Sequence, residues 1–353
     1  MIEPKLDYLW DQSGVPDPEI ELLEGQLSTF RMRVPEPRWN SIPSPDKTVQ
    51  RRARRVALPK QRWLPAGLVF TVLAVTTIVL SVKARFDWRP GEPWKVTVLH
   101  GSPQLAGSPM SNRANLVVGQ VLTTDGDSLA RIRVADLGVV DVGPNSYIRL
   151  IATSAKHHRI ALDYGTISAH MWAPPFSLAV NTPSAALFDL GCAFTLHVEQ
   201  NGSGVVYVTS GWVEFQTASR RVIVPAGAEA MTRPELGPGT PYFSNAPPAL
   251  KAAVAEFDSH PDDDSLRAAA LQSILENARS RDALTLLSLM KQLSPPQRAM
   301  ALDRLALFVP IPSGYTRDDV LDLRENAMDA YWNSLHLGSP KSWIMHWKDA
   351  LIY

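Results

Sequence analysis

Eight histidines, one cysteine and 35 acidic residues are the chain's raw material for chemistry. His100, His157, His158, His170, His197, His260, His336 and His346 form no HExxH pair, and no pair of them is accompanied by a nearby acid at ligand spacing. His157-His158 lies between apolar segments, while His170 and His197 lie inside them. An enzymatic or metal-binding reading therefore needs the fold to join His170, His197 and an acid. The alternative is that these imidazoles are satisfied locally or face solvent. Ser210-Gly211 lacks the setting of a nucleophile elbow. Asp262-Asp263-Asp264 lacks the spaced acids of a calcium loop, and there is no glycine-rich phosphate loop. Cys192, between Gly191 and Ala193, reads as a small core residue. A single cysteine also excludes an intrachain disulfide framework and a multi-cysteine zinc or iron–sulfur site. The expectation is no catalytic residue, no cofactor, no metal, and work done through binding surfaces.

Composition bounds those surfaces. The 353 residues carry 35 basic and 35 acidic side chains, so no global basic field exists to collect phosphates and no direct nucleic-acid partner is expected. The length suits two or three domains. The neutrality is a sum of unlike parts. Residues 1–46 hold four bases and nine acids, residues 47–62 hold seven bases and no acid, and the remainder holds 24 bases against 26 acids.

After the basic stretch, Trp63 to Val82 reads WLPAGLVFTVLAVTTIVLSV, twenty residues without a charge. At about 1.5 Å per residue this covers about 30 Å, the hydrocarbon thickness of a bilayer. A single transmembrane helix at 63–82 is expected, with the lipid bilayer as a partner. It lies too far into the chain, and is too long, for a signal peptide. The basic segment 47–62 then places the N-terminus in the cytoplasm and residues 83–353 outside.

Residues 1–46 read as a short helical tail with a proline-rich linker. Ile20, Leu23, Leu27 and Phe30 recur at helical spacing, with Asp17 as a cap and Pro18 at the first helical position. This stripe is the candidate partner-binding face. The tail is either loosely ordered or a docking hairpin that folds on a partner.

From Lys95 onward the texture changes to short segments of alternating polarity: KVTVLH, LARIRV, YIRLI, TISAHM, FSLAV, FTLHV, GVVYV and WVEF. Period two with abundant Val, Ile and Thr signals strands, and Asn201-Gly202 signals a hairpin. A weak repeat, apolar-x-x-Gly, starts at Leu116, Leu162, Val208 and Val224; the first three starts are 46 residues apart. It suggests stacked hairpin-like layers, with glycine supplying a turn of positive φ. From 246 to 353 the pattern turns helical. Ser294 with Gln297 and Thr316 with Asp319 form capping boxes, and the set suits a bundle or helical-repeat scaffold.

The ordered motifs in residues 110–235 resemble the FecR domain. They are Thr124, Leu162 with Gly165, Phe176 to Thr182-Pro183, Gly191 with Phe194, and Gly211 with Val213. Cys192 replaces the threonine usual in that family, which predicts the loss of a hydroxyl hydrogen bond. The resemblance implies a bacterial inner-membrane, single-pass signalling protein whose β domain is periplasmic. It further implies an anti-sigma regulator whose cytoplasmic tail binds an extracytoplasmic-function sigma factor. Two features depart from the family: the tail has no His-x3-Cys-x2-Cys motif, and the C-terminal part is helical. The expected fold class is multi-domain, with a single transmembrane α-helix at 63–82, an all-β FecR-like domain of stacked antiparallel strands at 95–235, and an all-α domain at 246–353. The expected function is relay from an extracytoplasmic partner to a cytoplasmic one. The alternative is a non-catalytic envelope scaffold or glycan-binding protein, contacting an envelope protein or glycan, with the tail only an anchor.

Overall fold

The computed structural model describes residues 88–154, 157–172 and 174–338. The chain divides into two units, residues 1–63 and 64–353, and the described residues all belong to the second.

Between Trp94 and Phe243 the chain forms two sheets that share one strand. The first sheet runs through β4 (Arg113–Leu116), β1 (Trp94–His100), β6 (Leu129–Val134), β7 (Gly138–Val142), β9 (His158–Met171), β12 (Ala193–Val198), β13 (Gly204–Ser210) and β16 (Ala228–Arg233), every pair antiparallel. β17 (Gly237–Pro238) and β18 (Tyr242–Phe243) extend it beyond β16. The second sheet runs through β3 (Ser108–Pro109), β2 (Gln104–Leu105), β5 (Val121–Thr123), β8 (Tyr147–Ala152), β9 again, β10 (Leu178–Asn181), β11 (Ala186–Asp189), β14 (Trp212–Gln216) and β15 (Arg221–Pro225).

The shared strand explains the architecture. Residues 158–164 of β9 pair with β8 and β10, and residues 165–171 pair with β7 and β12. The switch falls at Gly165, with φ +105°, where an added Cβ would run into Ser146. Only glycine takes this conformation without strain. The other repeat glycines, Gly119, Gly211 and Gly227, also have positive φ. Each lies where the chain passes between sheets: β4 to β5, β13 to β14, and β15 to β16. The repeat is one of crossovers. Between the sheets lies an apolar core including Val96, Ile132, Val140, Ile167, Leu196, Leu122, Ile148, Leu162, Leu187 and Phe215.

These observations correct the expected fold class. The strand pairings are antiparallel as expected except one, β9 with β10, which run parallel, and TISAHM is the second half of β9 rather than a separate strand. Period-two alternation reports which face is buried and is silent on strand direction, so it could not reveal this. Among the described residues no helix is long and apolar enough to cross a membrane, so the transmembrane element of that fold class is not sustained. A run of apolar residues supplies length for a span, but hydropathy alone does not establish the helix. The segment 63–82 itself lies outside the described residues, as do residues 1–46 with Ile20, Leu23, Leu27 and Phe30, and the basic segment 47–62.

The helices follow the β region: α1 (Pro248–Ser259), α2 (Asp264–Asn277), α3 (Ala283–Leu289), α4 (Pro295–Phe308), α5 (Arg317–Leu321) and α6 (Glu325–Ser334). Local chemistry sets their ends. Asp263 accepts from the Leu266 N–H at 2.9 Å, and Thr316 and Asp319 exchange side-chain-to-backbone hydrogen bonds at 3.2 and 2.7 Å. The helical pattern does not run unbroken through this last part, because Leu323 takes φ +56° between α5 and α6. Leu250, Phe257, Ile274, Leu286, Leu302 and Tyr331 form their shared core. The seam with the β region is both apolar and polar: Leu284 and Trp332 pack on the β core and Tyr242 joins the helical core, while Asp258 accepts from the Thr240 N–H at 2.6 Å and hydroxyl at 2.9 Å, and Lys251 pairs with Glu229 at 2.6 Å.

Candidate functional site

The fold does not assemble the His170–His197 site. His170 stands opposite Ala193 and His197 opposite Thr166 on the same strand pair. The two imidazoles are therefore four residues apart along it, about 13 Å at the usual strand rise. His197 instead shares a 2.8 Å hydrogen bond with Thr166. His158 lies near the opposite end of β9 and is 1% exposed. Its ring packs 5.5 Å from that of Trp94, and neither ring nitrogen has a partner. Burial, with a smaller contribution from His157, pushes its pKa down to about 4. Among the described residues no group of three or more His, Cys, Asp and Glu could hold a metal ion.

The motif residues of the β region hold its crossings together. Thr124 donates to the Gly143 carbonyl at 2.6 Å and accepts from the Ser146 N–H at 2.9 Å. Ser146, just beneath Gly165, accepts from the Thr166 N–H at 2.9 Å. Thr182 closes the turn to β11 by donating to the Ala185 carbonyl at 2.9 Å. Phe194 and Val213 are buried in the core. At Cys192 the expected loss of a hydrogen bond does not occur: the thiol itself donates to Asp189 Oδ1, which also accepts the Cys192 N–H at 3.0 Å. Asp189 has no exposed surface, and its Oδ2 has no partner. Burial raises its pKa to about 6 against the lowering effect of those hydrogen bonds. Burial likewise pushes the Cys192 thiol well up, so it is no nucleophile.

What the β region exposes is different. Across the outer face of the first sheet, Arg113, Thr97, Arg131, Asp141, Ser168, Thr195, Tyr207 and Glu229 stand side by side on successive strands. The adjacent row is Asn115, Lys95, Arg133, Val139, His170 and Ala193. Past the end of β9, Trp172 is 54% exposed, its indole N–H donating to the Asp136 carbonyl at 2.9 Å. The face is polarised. Its β4–β1–β6 end gathers Lys95, Arg113, Arg131 and Arg133 around a shallow cavity of about 580 Å³, lined by Lys95, Thr97, Arg113, Ala114, Asn115 and Arg133. Arg131 forks onto Asp141 at 2.5 and 2.7 Å, and Arg133 meets Asp136 at 2.9 Å. Neither Lys95 nor Arg113 has an ion-pair partner among the described residues.

Sequence reasoning missed this cluster. Arg131 and Arg133, two apart in a strand, were a readable sign of one charged face. Lys95 and Arg113 join them only through strand pairing.

No family model matches the chain, and no curated protein matches it. Among solved structures, two crystal structures of a candidate anti-sigma factor from Parabacteroides distasonis, at 1.65 and 2.50 Å resolution, are similar in part. Each has 15% sequence identity and a TM-score of 0.31, and the match covers 38% of this chain. This chain spans 64% of the length of those structures. At that TM-score the likeness is too slight to carry function across.

Proposed function

We propose that the chain is a non-catalytic regulator. Its β region receives a partner, and the stripe Ile20, Leu23, Leu27 and Phe30 relays the response to a sigma factor or another cytoplasmic protein. The observation that most supports this reading is the division of labour in the β region. Of the residues that carry the FecR-like resemblance, Thr124, Gly165, Thr182, Gly191 and Gly211 serve turns or sheet crossings, and Leu162, Phe194 and Val213 fill the core. The broad outer face is left polar and open. A scaffold that invests its motif in shape and leaves a face free suits recognition rather than catalysis. The test is co-purification of sigma factors with residues 1–62. Binding is expected; no binding, together with unchanged transcription when the segment is deleted, would sink the relay.

A second reading, an envelope scaffold or glycan binder in which residues 1–46 take no part, draws support from Trp172 and Tyr207. Both are exposed on or beside the polar face, as sugar-stacking rings would be. It expects replacement of residues 1–46 to leave the cellular phenotype intact.

A further inference from the structure

We infer that the open edge of the first sheet, strand β4 with the cationic cavity beside it, is a docking site for an extended acidic segment of a partner protein. The inference rests on reading the β region as a binding module and names the chemistry of what it binds.

Two independent features converge on β4. The first is backbone. The Val98 N–H donates to the Asn112 carbonyl at 2.7 Å, and the register pairs Val96 with Ala114 and Trp94 with Leu116. In an antiparallel ladder hydrogen-bonded pairs alternate, so Asn112, Ala114 and Leu116 turn their N–H and C=O groups to β1. Those of Arg113 and Asn115 then point away, toward an edge with no pairing strand among the described residues. Such a row of free donors and acceptors is what an added strand satisfies.

The second feature is charge. The side chains of the same two residues, with Lys95 and Arg133, line the cavity of about 580 Å³ on the outer face. Lys95 and Arg113 bring cationic charge that Asp141 and Asp136 do not neutralise, since those acids hold Arg131 and Arg133. Complementary potential calls for a carboxylate at every second residue of the incoming strand, where all of them fall on the charged face. Glycans and nucleic acids could use the charges but not the ladder. Cations on an edge strand can also serve only to repel other edges, and the experiment separates that role.

The full chain is titrated with an octapeptide of alternating glutamate and valine, followed by fluorescence anisotropy and by amide hydrogen exchange. Saturable binding that weakens with added salt is expected, with new protection of the Arg113 and Asn115 amides. The Lys95→Gln/Arg113→Gln double variant should bind roughly fivefold to tenfold more weakly, as two exposed ion pairs would dictate. Asn115→Pro keeps the cations and removes one outward N–H, and should abolish binding. Equal binding of a lysine–valine octapeptide or a sulfated oligosaccharide would overturn the proposal. So would unprotected amides, or a double variant that aggregates more while binding the peptide unchanged. The sigma-factor experiment uses residues 1–62 alone and can fail without bearing on this one.

Discussion

Two aspartates with no exposed surface, one in each half of the described chain, live in opposite surroundings. In the helical region Asp282 is held by Arg279, through its backbone N–H at 2.9 Å and its guanidinium at 2.9 and 3.3 Å. In the β region Asp189 faces the backbone N–H groups of Gly191 and Cys192 and the Cys192 thiol, and its Oδ2 has no partner among the described residues. The contrast is general. Among the described residues, the buried polar side-chain atoms without a partner are those of Trp94, Thr153, His158, Asp189 and Thr232 in the β region, against Arg304 Nε alone among the helices. Helix ends leave carbonyls without intrahelical partners, so a charged side chain packed against them finds acceptors, as Arg298 does at Met290, Leu293 and Leu321. A strand's backbone groups are already committed to its neighbours, and polar atoms in the layer between two sheets must find partners by long-range placement. The β region thus carries tension that the helices avoid.

The largest way to test that difference is at the crossover. Gly165→Ala combines positive-φ strain with overlap against Ser146, and should cost about 3 kcal/mol or more in denaturant unfolding. Gly119→Ala, with the same sign of φ but nothing within 4 Å of the new methyl, should cost about 1–2 kcal/mol. Equal losses would mean that the crossing at β9 is not the tight point.

Next in size is a pair of opposed pH effects. The Asp189 pKa is raised from 3.8 to about 6, so its contribution is most favourable below pH 3.8 and is lost as pH rises through 6. The His158 pKa is lowered from 6.5 to about 4, so its contribution is present above pH 6.5 and is lost as pH falls through 4. At about 1.4 kcal/mol per unit, each is worth at most about 3 kcal/mol, and between pH 4 and 6.5 they oppose one another. The unsubstituted chain should therefore show a shallow stability profile in that window. Asp189→Asn should make stability climb with pH, and His158→Phe should make it fall. Parallel profiles for the two variants would remove the account.

The smallest effect belongs to the helices. Thr316→Ala deletes one cap and should cost about 1 kcal/mol, with faster amide exchange confined to α5. Faster exchange spreading into β16 or β18 would show that the two regions are more tightly coupled than their chemistry suggests.

Much of the local structure was legible before any coordinates. LARIRV is β6, residue for residue, with alternating burial, and Asn201-Gly202 joins the antiparallel strands β12 and β13. The capping signs at Thr316 and Asp319 mark the start of α5. Short strands such as Gly138–Val142 and Ala186–Asp189 were not singled out, because four or five residues with little alternation resemble a loop. The outer-face cluster was illegible for another reason. Lys95 and Arg133 are 38 residues apart in number and face each other only because β1 lies beside β6.

By itself, then, the sequence determined that strands precede helices, which side of a well-alternating strand such as β6 is apolar, and that glycine recurs at four turn positions. All of that depends on side-chain type and spacing within one or two turns of chain. The tertiary structure alone decided that those glycines are crossings between two sheets, that β9 serves both, and that β9 runs parallel to β10. It also decided that four cations meet at one open edge while two histidines on the same strand pair stay apart. Strand partners are chosen by burial of a shared core across long stretches of chain, and a local pattern carries no record of that choice.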